Sequence, residues 1–598
     1  MENKLKTHTF HIPVMGIGYT IDTAVKVAPF GISSVLSLVD DILIEKMRAF
    51  YCRKMDLPYE EITEKTKDHR AHRITAYLNL IDDVVKNKFN QLKISVEKKG
   101  NELEKYIDML PDLSYLKIKA KHLLTQEFGK GEIRKWLETN LSMGSIDVNI
   151  MTKLDKENYE KQQALPSEYN DAHSALRGFA KSKLNSSIVL SAGMNPRLYS
   201  YMENFEDFFP DENEDLKKKI ILKVSDFRSA LIQGKFLAKK GLWVSEYRIE
   251  SGLNCGGHAF ATDGYLMGPI LEEFKNKRED LIQSTYDLWA KALETKNLNV
   301  PRSRPNVRFS AQGGVGTAHE HDYLLKLYQL DSIGWGTPFL LVPEATNVDP
   351  KTLNLLSKAK EKDLELSQIS PLGVLFNNLK GNTKDLTKVE NIRLGRPGSS
   401  CPKKFVAINK EFKDKGLCIA SRQYQDLKIK ELKAKNFSPE DYQKEYEKVV
   451  AKSCICVGLG TSALLVNNLD HKVEGDGVSV CPGPNMAYFT QKASLQQMTD
   501  HIYGRKNLNI DPKRPHMFIK ELRMYINYLN NRINEWKEKS EENQRKVIQK
   551  FHKNLFAGVS YYLELFNMEN LMEATPIKKA LEEGKQKLET LVSAFPQP

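Results

Sequence analysis

From Tyr247 to Gly264 the chain reads YRIESGLNCGGHAFATDG, which sets Cys255 and His258 on either side of the pair Gly256–Gly257, directly after a strand-like run. Glycine lacks a Cβ and lets backbone come close to a ligand, so the pair could be the wall of a site. A histidine there could take or give a proton near neutral pH, and a cysteine could act as a nucleophile. The same residues would also serve as a tight turn with a packed Cys and His. The elements around them decide between the two.

Two more segments carry chemistry by composition. In SAQGGVGTAHEHDYLLKLYQLDSIGWGTPFL, running from Ser310, Gly313, Gly314 and Gly316 end one apolar run, and Gly334, Gly336 and Thr337 fall on the next. Backbone N–H groups freed by such glycines, helped by the start of a helix, can cradle a phosphate. Later in the chain, Cys401, Cys418, Cys454 and Cys456 fall within a short span. Thiolates at such positions could hold an iron–sulfur cluster or a tetrahedral zinc ion. Cys481, in VSVCPGPNMAYF, is a fifth candidate or a core residue.

Eight short runs rich in Val and Ile could position these residues: PVMGIGYT from Pro13, ISSVLSLV from Ile32, SIDVNIM from Ser145, SSIVLSAG from Ser186, KIILKVSD from Lys219, WVSEYRIES from Trp243, VRFSAQGG from Val307 and IGWGTPFLL from Ile333. Most are followed by helical material, the pattern of parallel strands in βα units. Eight units predict a closed (β/α)8 barrel over 10–345, in which the glycine segments end strands seven and eight, where such barrels hold phosphate. Residues 40–144 read as a helical insertion. Residues 346–510 form an extension with Gly, Pro and most of the cysteines, and 511–598 a helical tail with apolar residues at three- and four-residue spacing. The aromatic stretch LFAGVSYYLELFNMENLM in that tail reads as core or as an interface between subunits.

At 41% hydrophobic and 28% charged, the 598 residues have ample material for a core, which excludes wholesale disorder. The net charge of +12 would suit an anionic partner such as RNA, a nucleotide or an acyl-carrier protein. The lysines, however, alternate with acids along helices, the pattern of a solvated surface and not of a nucleic-acid footprint. No run of about 18 apolar residues is present, so no membrane span is expected. The N-terminal stretch lacks the apolar core of a secretory signal. Seven dispersed cysteines do not read as a secreted disulfide framework, and a reducing cytoplasm is the simplest location.

The segment VRFSAQGGVGTAHEHDYLLKLYQLDSIGWGTPFLLVPEA resembles the flavin-phosphate region of the nitronate monooxygenase (2-nitropropane dioxygenase) family, which includes the trans-acting enoyl reductases of polyunsaturated fatty-acid synthases. GLNCGGHAF resembles that family's Gly-Gly-His loop after the sixth strand, and IPVMGIGYTIDTAVKVAPFGISSVLS its first strand and helix. The resemblance covers roughly residues 10–40 and 145–345. It departs from the family at Asn254 and Cys255, which leaves the substrate open.

The resemblance implies an FMN-dependent oxidoreductase on a (β/α)8 barrel, acting on a small organic or acyl substrate with an unidentified electron donor or acceptor. It implies FMN phosphate at Gly313, Gly314, Gly316, Gly334, Gly336 and Thr337, with backbone at Met15, Gly16, Gly256 and Gly257 near the flavin. His258 would be the acid/base. Lys223 would sit beside the reduced ring or the substrate, and Asn149 would hydrogen-bond the ring. A second reading keeps the barrel without flavin and places a phosphorylated substrate in the same cradle with Cys255 as nucleophile, in the manner of inosine-monophosphate dehydrogenase. A third is a non-catalytic scaffold for RNA or protein.

Overall fold

The computed structural model of the protein describes residues 7–95, 102–125, 130–191, 193–254, 263–508, 510–539, 542–568 and 574–593. Eight parallel strands close into a barrel: β1 Phe10–Ile12, β2 Ser33–Ser37, β3 Ile146–Ile150, β4 Ser186–Leu190, β5 Lys218–Val224, β6 Val244–Glu250, β7 Arg308–Gln312 and β8 Ser332–Gly334. Around the barrel they run in chain order, with β8 pairing back onto β1 through Phe10–Ile333 and His11–Gly334. Seven of the eight lie within the runs read from sequence or start one residue before them. The first is displaced. β1 ends at Ile12, because Pro13 has no N–H to give a ladder and the glycines beyond it form a loop.

Alternation along each strand sorts side chains to two faces. The outer-face residues, among them Ile12, Leu36, Val148, Leu222, Tyr247, Ile249 and Phe309, join the main apolar core beneath the surrounding helices. Inside the barrel a separate small cluster of Val14, Val35, Val189 and Ile221 is the apolar part. Much of the remaining inward surface is polar, and that is what makes the barrel a place for chemistry.

The insertion between β2 and β3 is helical. Helix α1 (Asp41–Lys54) is capped by Asp40, whose side chain accepts the Leu43 N–H at 2.8 Å. Helix α2 (His69–Ile94) is tied to α1 by Arg70 and Arg73, which bond the two oxygens of buried Asp41 at 2.7 and 2.8 Å. Two helices follow β6 and β7: α3 (Met267–Asn276) and α4 (Ala318–Leu327).

The extension folds back over the barrel. It carries an antiparallel hairpin, β9 (Leu364–Ser367) with β10 (Phe376–Leu379), then helices α5 (Ile455–Val466) and α6 (Leu495–Ile502). Three long helices finish it: α7 (Met517–Lys539), α8 (Glu542–Met568) and α9 (Ala574–Ser593). One apolar core runs without a break from Phe10 to Leu588, so extension and barrel are packed as one body. The stretch Pro439–Val466 is long and apolar enough to cross a membrane by composition, against the sequence expectation, but 72% of its apolar window is buried inside the fold.

Candidate functional site

Strand β6 explains the polar interior. Glu246, Arg248 and Glu250 alternate along it and share its inward face. Lower in the barrel, the Arg248 guanidinium donates to Glu246 through Nε at 2.9 Å and Nη2 at 2.7 Å, and Ser310 adds a third donor at 2.5 Å. Burial alone would raise the Glu246 carboxyl, but Arg248 and Arg308 outweigh it and hold the group down to about 2. His11 shares a 2.9 Å hydrogen bond with Ser332, and burial together with the Arg248 charge pushes its imidazole well below the ordinary range.

At the C-terminal end of the same face, Glu250 Oε1 collects three donors: Lys223 Nζ at 2.8 Å, Asn254 Nδ2 at 2.5 Å and Gln312 Nε2 at 2.5 Å. Gln312 also reaches Asn254 Oδ1 at 3.3 Å. Lys223 and Glu250 keep only 11% and 13% of their side-chain surface exposed, so their charges are largely desolvated and strongly coupled. Three strands and one loop thus place a fixed cation, a carboxylate and two amides where (β/α)8 barrels carry their reacting groups. Asn149, on the inward face of β3, is 4% exposed, and its Oδ1 accepts no hydrogen bond among the described residues. A buried acceptor without a donor is costly and points to a ligand or water.

The glycine segments lie at the ends of β7 and β8 as the sequence indicated. Gly313 and Gly314 have φ of +112° and +88°, and a side chain at Gly314 would run into Leu253 at 2.6 Å. The N–H groups of Gly313, Gly314, Gly336 and Thr337 meet no acceptor among the described residues. Gly316 differs. Its N–H is taken by Glu320 on the first turn of α4 at 2.9 Å, and Arg514 fills the space above it. Arg514 is bidentate to Glu320, with both bonds 2.8 Å, and donates to Gly314 O at 2.7 Å and Asn485 Oδ1 at 2.8 Å. The amides of Gly313, Gly314, Gly336 and Thr337 are thus open to an acceptor, whereas at Gly316 a protein carboxylate already stands. Thr337 spends its hydroxyl on Pro482 O at 2.7 Å.

Other expected positions fare differently. Met15 is buried and its N–H goes to Thr20 Oγ1, while Gly16 lies against Tyr19 and Leu459 of α5. The loop after β1 is thus covered by the extension, with Gly18 N–H donating to Leu459 O at 2.8 Å. Cys255, Gly256, Gly257 and His258 lie outside the described residues; Asn254, the last described residue before them, is part of the constellation.

The four late cysteines come together from three chain segments. Their proximity pushes the Cys401 and Cys456 thiols up and holds the Cys454 thiol down. All four are free and at most 5% exposed. Among the described residues no group of three or more Cys, His, Asp or Glu is placed to hold a metal ion, so these four do not form the cluster or zinc site expected of them. Cys481 instead packs with Ile369, Phe376 and Ile455.

A cavity of about 650 Å3 opens beside the site, lined by Asn378, Pro482, Gly483, Lys520, Arg523 and Met524. Met524 abuts Gly252 just past β6, and Pro482 is bonded to Thr337 past β8, which sets the cavity over the C-terminal ends of those strands.

Sequence reading missed Glu250, Gln312, Glu320, Asn485 and Arg514 as site residues. The alternation Glu246, Arg248, Glu250 on a parallel strand was the signal for the first, since charges on a barrel's inward face need partners there. Arg514 had no such signal, because its contact with Glu320 joins residues far apart in the chain.

No protein-family model matches the chain, and no curated protein does. Among solved structures the chain is similar to the enoyl reductase domain of MlnA from the macrolactin biosynthesis cluster of Bacillus amyloliquefaciens. The identity is 14% and the TM-score 0.31, with 72% of this chain and 86% of that chain covered.

Proposed function

We propose that the protein is a flavin-dependent oxidoreductase acting on a small organic or acyl substrate at the C-terminal mouth of its barrel. The observation that carries this reading is the pairing of two features: four backbone amides at the ends of β7 and β8 that meet no acceptor among the described residues, and the Lys223–Glu250–Asn254–Gln312 constellation beside them. The amides of Gly313, Gly314, Gly336 and Thr337 would hold the phosphate of FMN. Bound there, a flavin supplies two-electron chemistry.

The chain's own residues do the rest. Glu250 fixes the Lys223 ammonium in place, and a cation held in a desolvated site stabilises negative charge as it develops on a neighbouring group. Asn254 and Gln312 hold the Glu250 carboxylate by their amides, so the pair does not swing into solvent. His258, four residues beyond Asn254, takes the acid/base role. The cavity bounded by Pro482 and Met524 gives a substrate its way in.

The test is the visible spectrum of the full chain purified under anaerobic conditions, with mass spectrometry of whatever heat releases from it. One FMN per chain, lost in Gly314→Val, is the expected result. A colourless protein that does not quench the fluorescence of added FMN would overturn the reading, and colourless protein that still binds inorganic phosphate would favour a phosphorylated substrate in the same cradle.

A further inference from the structure

Most of the lysines on this chain alternate with acids along helices, but one groove of the extension departs from that pattern. A cavity of about 1040 Å3 opens between the loop after β3, the segment from Gly395 to Cys418 and the helices Arg422–Ala434 and Pro439–Val450. Among the described residues, eight Lys and Arg side chains line it, against two carboxylates, Glu157 and Asp426. Both carboxylates are already engaged, Glu157 with Lys410 and Asp426 with Lys430, each at 2.8 Å. Lys156 donates to Asn158 Oδ1 at 2.7 Å and lies 3.8 Å from Asp171, and Lys415 donates to Lys161 O at 2.6 Å. Arg396, Lys404, Lys413, Arg422 and Lys433 remain, five cations on one concavity with no ion pair among the described residues. Like charges gathered in a cleft reinforce one another's field and draw in an anion.

The groove has a built floor as well as a charge. Ser399 N–H donates to Ala420 O at 3.0 Å, and Ser399 O accepts the Arg422 N–H at 2.8 Å. This close approach needs Gly398, which has a φ of +84° and where a Cβ would fall 2.6 Å from Arg422 N. Ser421 caps the 13-residue helix by accepting the Tyr424 N–H at 3.2 Å. Ser421, Arg422 and Gln423 all line the groove, so the positive end of that helix adds to the five cations. Arg422 Nε is buried and meets no acceptor among the described residues. On the second helix, Tyr442 and Tyr446 line the same groove with their rings stacked, centroids 6.1 Å apart at 23°.

We propose that this groove binds a nucleoside polyphosphate, with its phosphates among Arg396, Lys404, Lys413, Arg422 and Lys433 and its base against Tyr442 and Tyr446. A single phosphate brings about two negative charges, too few for five unpaired cations, whereas two or three phosphates match them. Guanidinium groups bind phosphate oxygens in pairs, and an aromatic face takes a base by stacking. The cavity is on the scale of a small-molecule site. Binding is non-covalent, and none of the glycines assigned to the flavin phosphate lines this groove, so the two sites stand or fall separately.

The experiment is titration calorimetry of the full chain with ADP as the probe, beside adenosine, inorganic phosphate and pyrophosphate. One ADP per chain is expected, with adenosine and inorganic phosphate at least about tenfold weaker. Arg396→Gln/Lys404→Gln/Lys433→Gln changes three exposed residues and should keep the parent's thermal midpoint while weakening ADP at least about tenfold. Lys65→Gln/Lys67→Gln/Lys472→Gln removes the same charge at exposed positions that do not line the groove and should leave ADP binding unchanged. Tyr442→Ala/Tyr446→Ala should weaken ADP and spare pyrophosphate. ADP seated instead at the glycines after β7 and β8 would survive the groove variant, and that result would overturn the proposal. So would an absence of ADP binding, an equal loss in both triple variants, or an RNA oligomer held by the groove that ADP does not displace.

Discussion

Lys223 Nζ lies 2.8 Å from Glu250 Oε1, joining the ends of adjacent strands at the barrel's C-terminal mouth. Neither residue could be this far out of water alone, and the pair is held by two further amides on the same carboxylate oxygen. If the pair serves chemistry, its charge matters more than its shape. Lys223→Met with Glu250→Gln, which removes both charges together, is expected to slow flavin reduction by about a hundredfold while flavin content stays constant. Stopped-flow absorbance under anaerobic conditions reads both; a reduction rate equal to the parent's would assign the pair to structure.

Arg514 and Glu320 lock the extension to the glycine segment after β7. With side chains 6% and 2% exposed, they are a buried bidentate pair. Breaking either side alone should cost about 3–5 kcal/mol, because the remaining charge is left buried. Arg514→Met with Glu320→Gln should cost clearly less than the sum of the single changes. Denaturant unfolding of the four proteins gives the coupling energy.

Gly18 is where the loop after β1 meets α5. A Cβ there would come within 2.7 Å of Gly460 O, a backbone atom that cannot rotate away. Gly18→Ala should therefore destabilise the protein by about 1–3 kcal/mol, visible as a lower thermal midpoint. The same change at Gly373, which has open space for a Cβ but a φ of +72°, separates the cost of the contact from that of the backbone.

Glu521 on α7 accepts the Met267 N–H at the start of α3 at 3.0 Å, and full burial raises its carboxyl from 4.5 to about 8. The folded state thus holds a proton that the unfolded chain gives up. Its stabilising contribution is complete below pH 4.5 and is lost as pH rises through about 8. Glu521→Gln, which keeps the acceptor and removes the titration, should match the parent near pH 3.5 and exceed it by up to about 4–5 kcal/mol near pH 9. Thermal melts across that range check the slope.

The barrel was legible because its strands are short Val- and Ile-rich runs closed by Gly, Ser or Asp, a local pattern. Two boundaries were misplaced: Pro13 ends the first strand before its run begins, and the eighth run, read through Leu341, is strand only to Gly334. The glycine segments were legible for the same reason. What could not be read is what covers these features. Leu459 over Gly16, Arg514 over Gly316 and Pro482 on Thr337 are contacts between distant parts of the chain, and the extension that makes them has no period that announces its partner. Gly316 shows the consequence. Its composition suits a phosphate, but Glu320 and Arg514 answer it from within the protein.

The central claim is that the amides at the ends of β7 and β8 receive the phosphate of a flavin. Its most direct test is an experimental structure of the full chain after addition of FMN. The account predicts the phosphate within hydrogen-bonding distance of the N–H groups of Gly313, Gly314, Gly336 and Thr337, with Glu320 still on Gly316 and the ring toward Lys223. FMN bound elsewhere, or a cradle in which the four amides are satisfied by protein acceptors and FMN does not bind, would contradict it.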